Sequence, residues 1–159
     1  MGIRRLLFIA FLLLLTYQVE GQKVSLTTRP TNTFTFSSPT AAGERPSDFT
    51  NTSQSISYSS VTNVTSKITV ELQSGTIPAG IGVYITAAAK YGYFWDLLMG
   101  IGVSEGQVKI DTTSPTILSN ITTTRTQTRT LTLLIKITDF SQLTPGTSPI
   151  TLLYTILAQ

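Results

Sequence analysis

From Val24 onward, apolar and polar residues alternate with a period of two along most of the chain. Ile68, Val70 and Leu72 alternate with Thr69, Glu71 and Gln73, and Val83, Ile85 and Ala87 alternate with Tyr84 and Thr86. Val108 and Ile110 flank Lys109, and Ile150, Leu152, Tyr154 and Ile156 repeat the pattern near the C-terminus. The longest clean face is Leu131, Leu133, Ile135 and Ile137. Shorter pairs are Val24/Leu26, Phe34/Phe36 and Ile56/Tyr58. Successive side chains of a strand point to opposite faces, so each run predicts a strand with one buried side. Turn signals separate them: Arg29-Pro30, Ser38-Pro39, Gly43 to Pro46, Ser74-Gly75, Pro78-Ala79-Gly80, Ser114-Pro115 and Pro145-Gly146. This spacing predicts an all-β antiparallel sandwich. Residues 37–53 are expected to form a long loop or crossover. Tyr93–Met99 is too short and too closely flanked by glycine to predict a helix.

Ahead of this pattern, Arg4 and Arg5 precede ten apolar residues, Leu6–Leu15, and small residues lead to Gln22. Residues 1–21 read as a secretory signal peptide, too short in its apolar run for a membrane span, which needs about 20 residues. The expected mature chain, 22–159, is one domain of an exported protein without an integral membrane span. Its 9 basic and 7 acidic residues are scattered along the sequence, with no cluster suggesting nucleic acid or an anionic membrane as partner.

Composition narrows the chemistry. The 159 residues include 29 Thr and 16 Ser but no Cys and no His. Disulfides, thiolate nucleophiles, histidine bases and histidine or thiolate metal sites are therefore excluded. The carboxylates Glu44, Asp48, Glu71, Asp96, Glu105, Asp111 and Asp139 show no calcium-loop spacing. No enzyme, cofactor or metal is implied. Gly100, Gly102 and Gly106 miss the dinucleotide-binding spacing and are expected to be loop residues. Asn51, Asn63 and Asn120 begin N-glycosylation triplets, which arise easily in so hydroxyl-rich a chain.

Two segments invite closer reading. Thr122, Thr124, Thr126, Thr128, Thr130 and Thr132 occupy alternate positions, while Arg125, Gln127 and Arg129 precede Leu131 and Leu133 on the other face. The apolar face thus stops near Thr130. Residues 121–130 are expected to project as a polar hairpin or loop, or to form an edge blunted by arginine. The aromatic cluster 91–96 holds the single Trp. Phe94 or Trp95 is expected to plug the core with the tyrosines flanking a turn; the alternative is a ligand platform of Tyr91, Tyr93 and Trp95 that stacks on glycans.

Gly146 stands fourteenth from the end, followed by Ile150, Leu152, Tyr154, Ile156 and Ala158 on one face. This resembles the last strand of bacterial fimbrial subunits and spore-coat-U-like β-sandwiches. The stretch 107–159 is similar as well: a Val-x-Ile strand, Ser-Pro-x-Ile-Leu, a Thr-rich segment, a long Leu/Ile strand, Asp139-Phe140-Ser141, and Pro145-Gly146 before the terminal strand. An aromatic residue usual in fimbrial subunits is replaced by Ala158, and their common cysteine pair is absent. The resemblance implies an immunoglobulin-like sandwich in a bacterial periplasmic, secreted or outer-surface protein. It further implies assembly with itself or related surface subunits by β-strand addition. Gln22–Phe36 is then either a donor strand or simply the first strand of its own sandwich.

Overall fold

A computed structural model describes residues 23–26, 32–36, 48–111, 113–143 and 146–159. The segment read as a signal peptide, most of the predicted 37–53 loop, and the turns at Arg29-Pro30, Ser38-Pro39 and Gly43 to Pro46 lie outside these residues.

Ten strands form two antiparallel sheets. They are β1 (Lys23–Leu26), β2 (Asn32–Phe36), β3 (Phe49–Ser59), β4 (Ser66–Ser74), β5 (Ile81–Ala87), β6 (Ile101–Ser104), β7 (Gln107–Lys109), β8 (Thr116–Ile121), β9 (Gln127–Ile137) and β10 (Gly146–Ala158). One sheet runs β1-β3-β9-β5-β7 and the other β2-β10-β4-β8-β6. The alternation explains the packing. Ile56 and Tyr58 of β3, Val83 and Ile85 of β5, and Leu131, Leu133 and Ile135 of β9 face Ile68 and Val70 of β4, Ile117, Leu118 and Ile121 of β8, and Ile150, Leu152 and Tyr154 of β10. The all-β sandwich is as the sequence predicts.

Connectivity adds a constraint that period-two patterning does not carry. Odd-numbered strands make one sheet and even-numbered strands the other, so every connection passes between layers. Partners are nested: β5 lies between β7 and β9, and β4 between β8 and β10. A long hairpin rolled upon itself gives this order, the jelly-roll arrangement. Immunoglobulin sandwiches instead pair consecutive strands within a sheet. No consecutive pair is hydrogen-bonded among the described strands.

Several local expectations change. Strand β3 already begins at Phe49, inside the predicted loop, and β6 runs through Gly102, read as a loop residue. Between β5 and β6 the chain forms a helix, α1 (Tyr93–Leu98), where no helix is expected from sequence. Strand β9 is central rather than an edge, and Arg129 points inward with 2% of its surface exposed. Only residues 122–126 form the projecting loop.

Leu133, at the centre of β9, is 1% exposed. Leu133→Ala is expected to lower unfolding free energy by about 2–5 kcal/mol, read from the midpoint of urea denaturation.

Candidate functional site

The site lies at the end of the sandwich where β5 stops and β6, β4 and β9 start. There α1 is inverted relative to an ordinary surface helix, whose apolar stripe faces the core. Asp96 is its one buried residue, 0% exposed. Around it Tyr93 is 69% exposed, Phe94 65%, Trp95 51% and Leu98 66%, with Tyr91, Leu97 and Met99 also open to solvent. Phe94 and Trp95 meet edge to face, ring centroids 5.5 Å apart. The expectation that Phe94 or Trp95 plugs the core is therefore overturned. The three residues of the proposed platform, Tyr91, Tyr93 and Trp95, are all exposed on the apolar knob 91–99, where the ring contact is between Phe94 and Trp95.

A helix of six residues has too few internal hydrogen bonds to stand alone. Asp96 supplies the anchor. Its carboxylate accepts the backbone N–H groups of Lys90 (3.0 Å) and Tyr91 (2.9 Å), which folds the 88–92 crossover against the helix. Asp96 Oδ2 also lies 3.0 Å from Arg129 Nη1. The guanidinium's remaining donors are all used: Nε to the Tyr58 hydroxyl (3.1 Å), Nη1 to the Ala88 carbonyl (3.2 Å), and Nη2 to the carbonyls of Ile101 (3.3 Å) and Gly102 (2.9 Å). The Tyr58 hydroxyl donates to the Ile101 carbonyl at 2.6 Å. Five N–H groups of one arginine thus hold the segments before and after α1 to the body of the sandwich.

The exit from the helix is equally constrained. Gly100 adopts φ +61°, and a Cβ there would collide with the Thr122 hydroxyl. Its carbonyl accepts N–H bonds from Thr122 (2.9 Å) and Thr123 (3.0 Å), tying the 122–126 loop to the knob. Between this loop and the β3–β4 turn lies an open groove of about 680 Å³, lined by Thr62, Asn63, Thr65, Met99, Thr124 and Arg125 among others. Lys90 reaches across to the Gln127 side chain (3.1 Å) and sits 5.5 Å from the Tyr91 ring centroid.

Electrostatics at Asp96 follow from these bonds. Burial alone would raise its carboxyl pKa, but the Lys90 and Tyr91 N–H groups and the Arg129 guanidinium outweigh that effect and hold it below the usual carboxylate range. Burial pushes the Tyr58 hydroxyl up, against the opposing influence of Arg129.

The other candidate residues serve the fold. Ile150, Leu152 and Tyr154 are buried in the core; Ile156 is half-buried and Ala158 exposed. Their strand changes partner along its length: Gly146 to Ile150 pair with β2, where Gly146 stands opposite Phe36, and Thr151 to Ala158 pair with β4. Arg129 and Asp96 are the residues sequence reasoning missed. The available signal was phase: Arg129 shares the face of Leu131, Leu133, Ile135 and Ile137, and a charge in phase with a core requires a buried partner.

Comparison of the chain with protein-family models, curated proteins and solved structures finds no match.

Asp96→Ala leaves Arg129 buried without its counter-ion and is expected to cost about 3–5 kcal/mol. Trp95→Ser should change stability by less than about 0.5 kcal/mol. Urea unfolding of both variants checks the contrast. Because the folded pKa of Asp96 is lowered, its stabilisation is present above the unfolded carboxyl range, about 3.9, and is lost as pH falls through the lower folded value. The paired replacement Asp96→Leu, Arg129→Met should show a shallower loss of stability in acid, measured by urea midpoints across that range.

Proposed function

We propose that this chain is a non-catalytic adhesive domain of an exported bacterial surface protein, and that it engages its target through the knob at 91–99. The observation carrying this reading is the pairing of an exposed aromatic and aliphatic tip with a buried polar anchor beneath it. Large exposed apolar groups on a fixed element mark an interaction surface, since a monomer gains nothing by presenting them to water. Rigid presentation also lowers the entropy lost when a partner binds.

Strand addition between subunits, the assembly mode implied by the fimbrial resemblance, receives less support. Lys23–Leu26 pairs with β3 and Asn32–Phe36 with the first part of β10 in the same chain, while the rest of β10 pairs with β4. These pairings favour a sandwich that completes itself. A second reading, glycan binding, draws on the groove lined by Thr62, Asn63, Thr65, Thr124 and Met99, the last of which closes the knob.

The test uses surface plasmon resonance over immobilised polysaccharides and phospholipid layers, comparing the chain with its Tyr93→Ser, Trp95→Ser, Leu98→Ser variant. Retention lost in the variant, with an unchanged urea midpoint, is the expected outcome. Equal retention of both proteins contradicts the proposal. On an unheated SDS gel the protein should run as a monomer; a ladder that collapses only on heating would favour strand exchange instead.

A further inference from the structure

The target surface itself is legible in how the fold distributes charge, an inference that rests on the knob being a binding surface. Charges scattered along the sequence are sorted in space. At the knob end stand Lys67, next to the start of β4, Lys90, on the crossover into α1, and Arg125, in the β8–β9 loop. Most of the acidic side chains lie elsewhere. Asp48 bonds the Ile137 N–H at the opposite end, Asp139 follows β9 there, and Asp111 follows the Ile110 N–H that bonds the Val83 carbonyl. Glu71 bonds Ser114, and Lys109 and Lys136 share that half of the sandwich, opposite Tyr84 and Gly82. Of the acids nearer the knob, Asp96 is buried and paired with Arg129, and Glu105 is exposed next to Ser104, whose hydroxyl bonds the Ala87 carbonyl at the end of β5.

We propose that the knob docks on an anionic phospholipid bilayer, inserting Phe94, Trp95, Leu97 and Leu98 at the interface while Lys67, Lys90 and Arg125 face the headgroups. Tyr and Trp favour the headgroup level, where one edge of the ring is wet and the other apolar. Leu97, Leu98 and Met99 offer no hydrogen bond to a sugar but are suited to acyl chains. A second copy docked knob to knob would bring the same cations together, which disfavours self-association. No helix among the described residues is long and apolar enough to span a membrane.

Vesicles of phosphatidylcholine, alone or mixed with phosphatidylglycerol, supply the test, with Trp95 fluorescence and co-sedimentation as readouts. Each cation near an anionic surface is worth about fivefold in partitioning, so three cations predict a preference on the order of a hundredfold for the anionic vesicles at low salt. Trp95 emission should shift to the blue on binding. Phe94→Ser with Leu98→Ser should abolish both signals, and Lys90→Gln or Arg125→Gln should weaken binding about fivefold each. Absence of binding to either vesicle, or binding that survives Phe94→Ser with Leu98→Ser, overturns the inference. If vesicles fail while a polysaccharide retains the protein through the knob, the lipid target falls and the adhesive reading stands. If no surface shows knob-dependent retention, both fall.

Discussion

The guanidinium of Arg129 joins three parts of the molecule that sequence separates: the end of β3 through Tyr58, the crossover before α1 through Ala88 and Asp96, and the beginning of β6 through Ile101 and Gly102. A buried charge is costly unless it is paired and fully hydrogen-bonded, and this one is both. The same condition gives the pair its structural consequence. Asp96 points inward to meet Arg129, and the other five residues of the six-residue helix are exposed, including Tyr93, which shares the face of Asp96. An apolar residue at 96 would leave that helix no reason to choose this orientation.

The rolled connectivity supplies the second constraint. Because each strand is followed by one in the opposite sheet, consecutive strands are joined across the two layers. The β3–β4, β5–β6 and β8–β9 connections gather at the knob, and with them Lys90, Arg125 and the adjacent Lys67. Most acids lie on the remaining turns and distal strand segments, together with Lys109 and Lys136. A nearly balanced chain thereby gains an apolar-tipped end with an excess of cations, which the scatter of charges along its sequence does not reveal. The fit to an anionic interface is a consequence of topology as much as composition.

Legibility from sequence depended on how cleanly each element separates two environments. Strands β4, β5, β9 and β10 were readable because buried and solvated positions alternate along them. Strand β8 was hidden: Ile117 and Leu118 are adjacent and both buried, and its pairing with β4 shifts register twice. Strand β6 is short and carries Gly102 at φ +92°, so it resembles a loop in sequence. The aromatic cluster was identifiable as a candidate site, yet its fate was inverted, because the rule that large apolar residues seek the core does not anticipate a buried aspartate turning them out. Arg129 was read as the point where the apolar face ends; it is instead where that face becomes ionic. Nested rather than hairpin-linked pairing is a long-range property that no local pattern encodes.

The central claim is that the knob is exposed and at the same time immobile, held by the ion pair beneath it. The single tryptophan allows both properties to be measured in one sample. Acrylamide quenching of Trp95 together with time-resolved fluorescence anisotropy should find an indole accessible to quencher whose depolarisation follows the tumbling of the whole domain. Asp96→Asn should release it into faster local motion. An indole protected from quencher, or one that already moves independently in the unaltered protein, would contradict the account.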